Sequence, residues 1–154
     1  MKLSTLIKQE RFRSPSQEAM LNLIVTSSWI MNELATTMAP YGITPAQYNV
    51  LRILQGSAPQ TLSCSELGER LLDRTPDVTR LLNRLQRSGL IRRERAEHDR
   101  RIVEVGITEK GQALIERMEE EMQATECRLM EHLSAQELTD LSQLLDRLRT
   151  DQTV

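Results

Sequence analysis

The stretch TPDVTRLLNRLQRSGLIRRERAEHDRRIVEVGITEKG, from Thr75 to Gly111, constrains the fold of this chain more than any other. Val78, Leu81, Leu82, Leu85 and Leu90 recur at helical spacing and make one apolar stripe. Asp77, Arg80, Asn83, Arg84 and Arg87 fall on the opposite side, with Thr79 near its edge. Thr75 suits an N-cap and Pro76 the first helical position, while Asp77 sets negative charge against the positive end of the dipole. Gly89, tolerant of positive φ, suits the helix end. Leu90 to Arg95 then reads as a strand, though its alternation is weak. Ile102, Val103, Val105 and Ile107 form a β-branched run that reads as its partner. Ala96 to Arg101 is too polar to bury and is expected to form the tip between them.

A helix bearing arginine, asparagine and threonine, followed at once by a basic hairpin, is the layout of a winged helix-turn-helix. Arg can pair bidentately with guanine, Asn with adenine, and the Thr methyl can pack on thymine, so the polar face is suited to base edges in a major groove. Arg100 at the tip is suited to a minor groove, where narrow A·T-rich segments concentrate negative potential. Asp99 would repel phosphate, and the expectation is that it pairs with a neighbouring arginine and directs that side chain. The competing reading is a solvated helix face and an ordinary charged turn.

The rest of the chain reads as helices. Met1 to Ser14 is a polar, partly basic arm with little periodicity, and Ser16 to Met38 has the apolar spacing of a long helix, broken by Pro40-Tyr41-Gly42. Thr44-Pro45-Ala46-Gln47 and Ser63-Cys64-Ser65-Glu66 are two capping boxes. The first opens a helix that buries Tyr48, Leu51 and Leu54; the second opens a short helix through Leu67, Leu71 and Leu72. Thr108 can cap a long helix to about Leu133, and Ser134-Ala135-Gln136-Glu137 opens a last one. That last helix carries a narrow seam of Leu138, Leu141, Leu144, Leu145 and Leu148. One copy has few places to bury both this seam and the apolar N-terminal helix, so packing against a second copy is expected. The alternative is an intrachain helical layer.

A D-R-R tip (Asp99, Arg100, Arg101), the following V-x-I-T-E-K-G (Val105 to Gly111), the arginine-bearing helix and the flanking long helices together resemble the MarR family of bacterial transcription regulators. The resemblance covers nearly the whole chain and is strongest from about Thr44 to Leu114. It implies a mainly α protein with a small antiparallel β-hairpin wing, a homodimer that binds a pseudo-palindromic operator in double-stranded DNA, usually as a repressor. Residues 1–42 would be the arm and a dimerisation helix, 43–110 the winged helix-turn-helix lobe, and 111–154 the C-terminal dimerisation helices of one intertwined domain. The resemblance also places Thr75, Pro76, Asp77, Thr79, Arg80, Asn83 and Arg84 at the major groove, and Ser63 and Ser65 near phosphate. Arg100 would be the wing arginine, with Arg101 and Arg95 on the DNA backbone.

In many family members a small phenolic or lipophilic ligand, or thiol oxidation, weakens DNA binding. Such a ligand lies between the dimerisation helices and the DNA-binding lobe, where Trp29, Met31, Met38, Tyr41, Tyr48 and Arg52 are candidates. Each is also an ordinary core or surface residue, and Arg52 either receives a carboxylate or phenolate or faces solvent. Cys64, in the first turn of a capped helix, is a candidate redox thiol, because the dipole favours thiolate. The peroxide-sensing branch carries its cysteine near the start of the chain, where this sequence has none, so a structural thiol is the stronger reading.

Net charge is −2, which looks wrong for a partner of nucleic acid until it is divided. Arg70 to Arg101 holds 10 Lys+Arg against 5 Asp+Glu, a net +5, which leaves the remainder at −7. Phosphates would attract one face and repel the others. Two cysteines without metal-type spacing suit a reducing cytoplasm. No apolar run of about 18 residues predicts a membrane span, and Met1 to Gln9 lacks the apolar core of a signal peptide. Cys127, Glu131 and His132 share a helix, Cys127 and Glu131 at i,i+4, but a solvated acidic helix is the stronger reading and no metal or cofactor is expected. His98 and His132 sit in charged surroundings, and no phosphate-cradling glycine loop or nucleophile elbow is present, so an enzyme is not expected. A thiol-oxidation-responsive regulator and a winged-helix module that binds protein instead of DNA stay open as alternatives.

Overall fold

The computed structural model describes residues 1–72, 77–96, 99 and 101–150. In chain order it has helix α1 (Leu3–Leu6), helix α2 (Pro15–Met38), a 3-10 turn (Ala39–Tyr41), helix α3 (Pro45–Ser57), strand β1 (Leu62–Ser63) and helix α4 (Cys64–Arg70). Helix α5 (Val78–Arg87), strands β2 (Ile91–Arg95) and β3 (Val103–Ile107), and helices α6 (Glu109–Met130) and α7 (Ala135–Leu148) complete it.

Local chemistry explains most of these boundaries. Ser14, Thr44, Ser63, Thr108 and Ser134 each accept a backbone N–H from their helix's first turn. Thr44, Ser63 and Ser134 belong to reciprocal capping boxes with Gln47, Glu66 and Glu137, which satisfies two helix-end donors at once. Hydrogen bonds from Ser63 and Ser134 to the Glu66 and Glu137 carboxylates hold both below the usual 4.5. Gly42, at φ +70°, adopts the left-handed turn that ends the N-terminal helical segment.

The sheet is antiparallel, in the order β1-β3-β2. Arg93 stands opposite Val105 and Glu94 opposite Glu104, while Leu62 of β1 pairs Val105 from the other side. β1 was not expected, since two residues carry no period of their own; a bond from the Thr61 hydroxyl to Glu104 (2.7 Å) helps hold that edge. The core gathers under the sheet from Val50, Leu51 and Leu54 of α3, Leu67 of α4, Leu82 and Leu85 of α5, Val105 of β3, and Ile115 and Met118 of α6.

Several expectations change. Asp77, not Thr75, is the cap of α5, its carboxylate accepting the Arg80 N–H at 3.0 Å. The arm before Ser14 contains α1, and its Leu3 is buried. Tyr48 is only half-buried, because Val50 and Gln47 take the inward positions on α3. α4 ends at Arg70, after which the chain is extended, so Leu71 is buried whereas Leu72 is 89% exposed. α6 stops at Met130, short of Leu133. Ala96, assigned to the polar tip, is buried, its N–H bonded to the Ile102 carbonyl at 3.0 Å.

Two helices are incompletely covered. α2 buries only Thr37 and Met38 and exposes Met20, Leu23 and Ile24. α7 buries nothing, with Leu144 58% and Leu148 64% exposed. No helix of the described residues is long and apolar enough to cross a membrane.

Candidate nucleic-acid interface

Helix α5 divides cleanly into two faces. Leu81, Leu82 and Leu85 go into the core, which leaves Thr79, Arg80, Asn83, Arg84 and Arg87 exposed along one side. Cationic side chains on this face are not consumed by intrahelical acids, since Asp77 at the cap is the helix's one carboxylate neighbour in sequence.

The far end of α5 is fastened to α6 through the T-E-K-G segment. Gly89, at φ +70°, turns the chain. The Lys110 ammonium donates to the Ser88 carbonyl at 2.8 Å, and the Thr108 hydroxyl donates to the Gly89 carbonyl at 2.8 Å. The Thr108 N–H reaches the Leu90 carbonyl at 3.1 Å. These bonds occupy carbonyls that a helix end would otherwise leave to water, and Lys110 sets positive charge at the negative pole of the dipole. Gly111 lies so close to the Leu90 carbonyl that a Cβ there would collide with it. The motif is thus a clasp that fixes the attitude of α5.

Strand β2 sets Arg92 and Arg95 in solvent beside α5, with Arg93 half-buried between them. The Arg93 guanidinium donates from Nη1 to Oδ1 of Asn83 at 2.7 Å, a contact not foreseen from the sequence because it joins two elements. Arg92 lies 3.7 Å from Glu94, both exposed, so that pair adds little. At the tip, Asp99 acts on the backbone: its carboxylate accepts the Arg101 N–H at 2.9 Å and its carbonyl accepts the Ile102 N–H at 2.9 Å. The expected pairing of Asp99 with a neighbouring arginine involves Arg100, which lies outside the described residues. Thr75, Pro76 and Arg100 lie outside the described residues. Ser65 is exposed in the first turn of α4, whereas Ser63 spends its hydroxyl lone pair and its N–H on the capping box.

The candidate effector residues are dispersed. Met38 is in the core, and Trp29 and Met31 are exposed on α2. Arg52 pairs with Glu119 at 2.6 Å on the outside of α3 and α6. Burial pushes the Tyr48 phenol up, partly offset by Arg52. Tyr41 lines an open groove of about 350 Å³, together with Ile43, Leu90, Lys110, Leu114 and Arg117. Its hydroxyl donates to Glu121 at 2.7 Å, which raises its pKa, and Arg117 lies 5.9 Å from its ring centre. Cys64 is half-buried and Cys127 exposed, both as free thiols. Glu131 lies 3.7 Å from His132, and among the described residues no three potential ligands converge on a metal position.

Residues 41–102 match the model of the MarR family. The chain is 34% identical to a MarR transcription factor from Planctomyces limnophilus, over 88% of this chain and 98% of that one, with a TM-score of 0.69. It is 28% identical to a mutant MarR from Escherichia coli solved in complex with operator DNA, covering 82% of this chain and 89% of that one, with a TM-score of 0.75. The transcriptional regulator PecS of Dickeya dadantii is 29% identical over 96% of this chain and 93% of its own.

Proposed function

Because the chain belongs to the MarR family, we propose that it is a transcription regulator that binds double-stranded DNA, as a homodimer on a pseudo-palindromic operator, and represses. One observation carries this reading: the exposed Arg80, Asn83, Arg84 and Arg87 of α5 stand beside the arginines of β2 within Arg70–Arg101, a stretch of net +5 in a chain of net −2. In the proposed complex α5 enters the major groove, with Arg80 and Asn83 at base edges and Thr79 and Arg84 at its margin. The β2–β3 wing lies over the neighbouring minor groove, with Arg95, Arg101 and Arg100 toward the DNA. Asp77 acts as the cap, Ser65 and Ser63 meet phosphate, and Thr75 and Pro76 are proposed as further contacts at the major groove. The relative solved with operator DNA supports this use of the fold.

The uncovered leucines of α7 and the apolar positions of α2 support the dimer. Repression and release by a small lipophilic anion are the finer parts of the proposal; the Tyr41 groove, with Lys110 and Arg117 above apolar walls, is where such a ligand fits. The test is binding to the DNA upstream of the protein's own gene against a scrambled duplex, over a series of salt concentrations. Preferential binding that weakens steeply with salt is expected, since cations at phosphates release counterions. Equal, weak binding to both duplexes at every salt concentration would overturn the reading.

A further inference from the structure

Asn83 is an amide on the exposed face of α5, as is Gln86, and one lone pair of the Asn83 carbonyl is already taken. A guanidinium has donors and no acceptor, so the atom of Asn83 that faces Arg93 at 2.7 Å is the oxygen and not the nitrogen. The Nδ2 group therefore points away from β2 with both its N–H donors. This side-chain bond links the outer face of α5 to the wing. Arg93 is half-buried, unlike Arg92 and Arg95 on either side, so its guanidinium has less room to turn toward a phosphate. The bond is charge-assisted, which makes it stronger than an ordinary amide contact.

That arrangement changes what Asn83 can read. Adenine is recognised by asparagine through two bonds at once, the oxygen accepting from N6 and the nitrogen donating to N7. With one lone pair of its oxygen held by Arg93 and the amide oriented by that bond, Asn83 keeps both N–H donors and only a constrained second lone pair for adenine N6. We propose that Arg93 is a positioning residue for sequence recognition: it orients Asn83 to read chiefly through its N–H donors, matched to the acceptors of guanine (O6, N7) or thymine (O4) ahead of adenine. This rests on the reading of α5 as the helix in the major groove, and it reverses the asparagine–adenine pairing expected from residue type alone.

The test is selection from a randomised double-stranded oligonucleotide library by the full-length chain and three variants, each checked for helical content and oligomeric mass. Asn83→Ala identifies the base pair that depends on Asn83, where the unaltered protein should prefer guanine or thymine over adenine by at least about fivefold. Arg93→Met should move the preference toward adenine at that base pair only, because the freed oxygen can accept from N6. Asn83→Asp keeps the Arg93 contact and removes both donors, so it should abolish the preference without lowering thermal stability. That variant keeps the idea testable if Arg93→Met folds poorly. Adenine already preferred by the unaltered protein, no position responding to Asn83→Ala, or a uniform loss of affinity in Arg93→Met with unchanged preference would each overturn the proposal. If the unaltered protein selects no sequence at all, the regulator reading falls with it; selection without an Asn83-dependent position sinks this inference alone.

Discussion

A methyl group at Gly111 would run into the Leu90 carbonyl oxygen and come within 2.8 Å of Ile107 Cγ1. Alanine is the better helix former by about 1 kcal/mol, yet overpacking against backbone costs about 1–3 kcal/mol and sometimes more, so the clash wins. Gly111→Ala should therefore lose roughly 2 kcal/mol of stability by denaturant titration; a stabilised variant would mean that α5 and α6 can separate freely at this point. Arg84, by contrast, is exposed and takes no part in the core. Arg84→Ala should leave the melting profile unchanged and cost about 1–3 kcal/mol of DNA binding if it reads a base, or lower the salt slope by about 1 if it meets phosphate. Unchanged affinity at every salt concentration would remove it from the interface. What was legible at this scale was whatever is local. The Thr44, Ser63 and Ser134 boxes place both partners within three residues of each other. Asp77 was misassigned because Thr75 precedes a proline and has equal capping chemistry, and the sequence has no local feature that ranks the two. Arg93 was missed because its partner lies on another element.

Helices with the same kind of cap differ in how far they depend on it. α4 is held by buried Leu67 as well as by its box, whereas α7 buries no residue. The Ser134 N–H and hydroxyl donate to the Glu137 carboxylate at 2.8 and 2.7 Å and lower its pKa. A depressed carboxyl pKa stabilises the folded form above its ordinary value of 4.5 and loses that contribution as pH falls through the lowered folded value. Amide exchange in the first turn of α7 should accordingly quicken, relative to α3, when pH is taken below the ordinary range. Glu137→Gln retains the box geometry with a side chain that does not titrate, so it should flatten that dependence. An identical acid response in both proteins would place the sensitivity elsewhere. The cap of α3, made by Thr44 and Gln47, has no titrating member, so the first turn of α3 serves as the internal control. The elements themselves were largely readable because each long one carries a period and a cap. β1 was not, because two residues become a strand only through their pairing with Val105 and Glu104 of β3.

At the scale of the whole molecule the apolar surface is in the wrong place for one copy alone. Leu141, Leu144 and Leu148 on α7, with Met20, Leu23 and Ile24 on α2, are exposed at opposite ends of the chain. Each leucine fully removed from water contributes on the order of 2 kcal/mol, so covering these faces favours association strongly. The acidic charge outside the reading head does not oppose this, because the −7 is spread over long helices while the basic +5 is confined to Arg70–Arg101. A second copy seated on α2 and α7 would also set two α5 helices at a fixed separation, as two half-sites one DNA turn apart require. Leu144→Asp together with Leu148→Asp puts charge into the seam without touching the core of the winged lobe. Sedimentation should then report a monomer that keeps its helices. Affinity for a two-half-site operator should fall by roughly 100-fold or more, since the second contact is no longer intramolecular. Binding to a single half-site should hardly change. A variant that still sediments as a dimer would show that α7 is not the seam, and a monomer that binds the full operator as tightly as before would show that each copy reads its DNA alone.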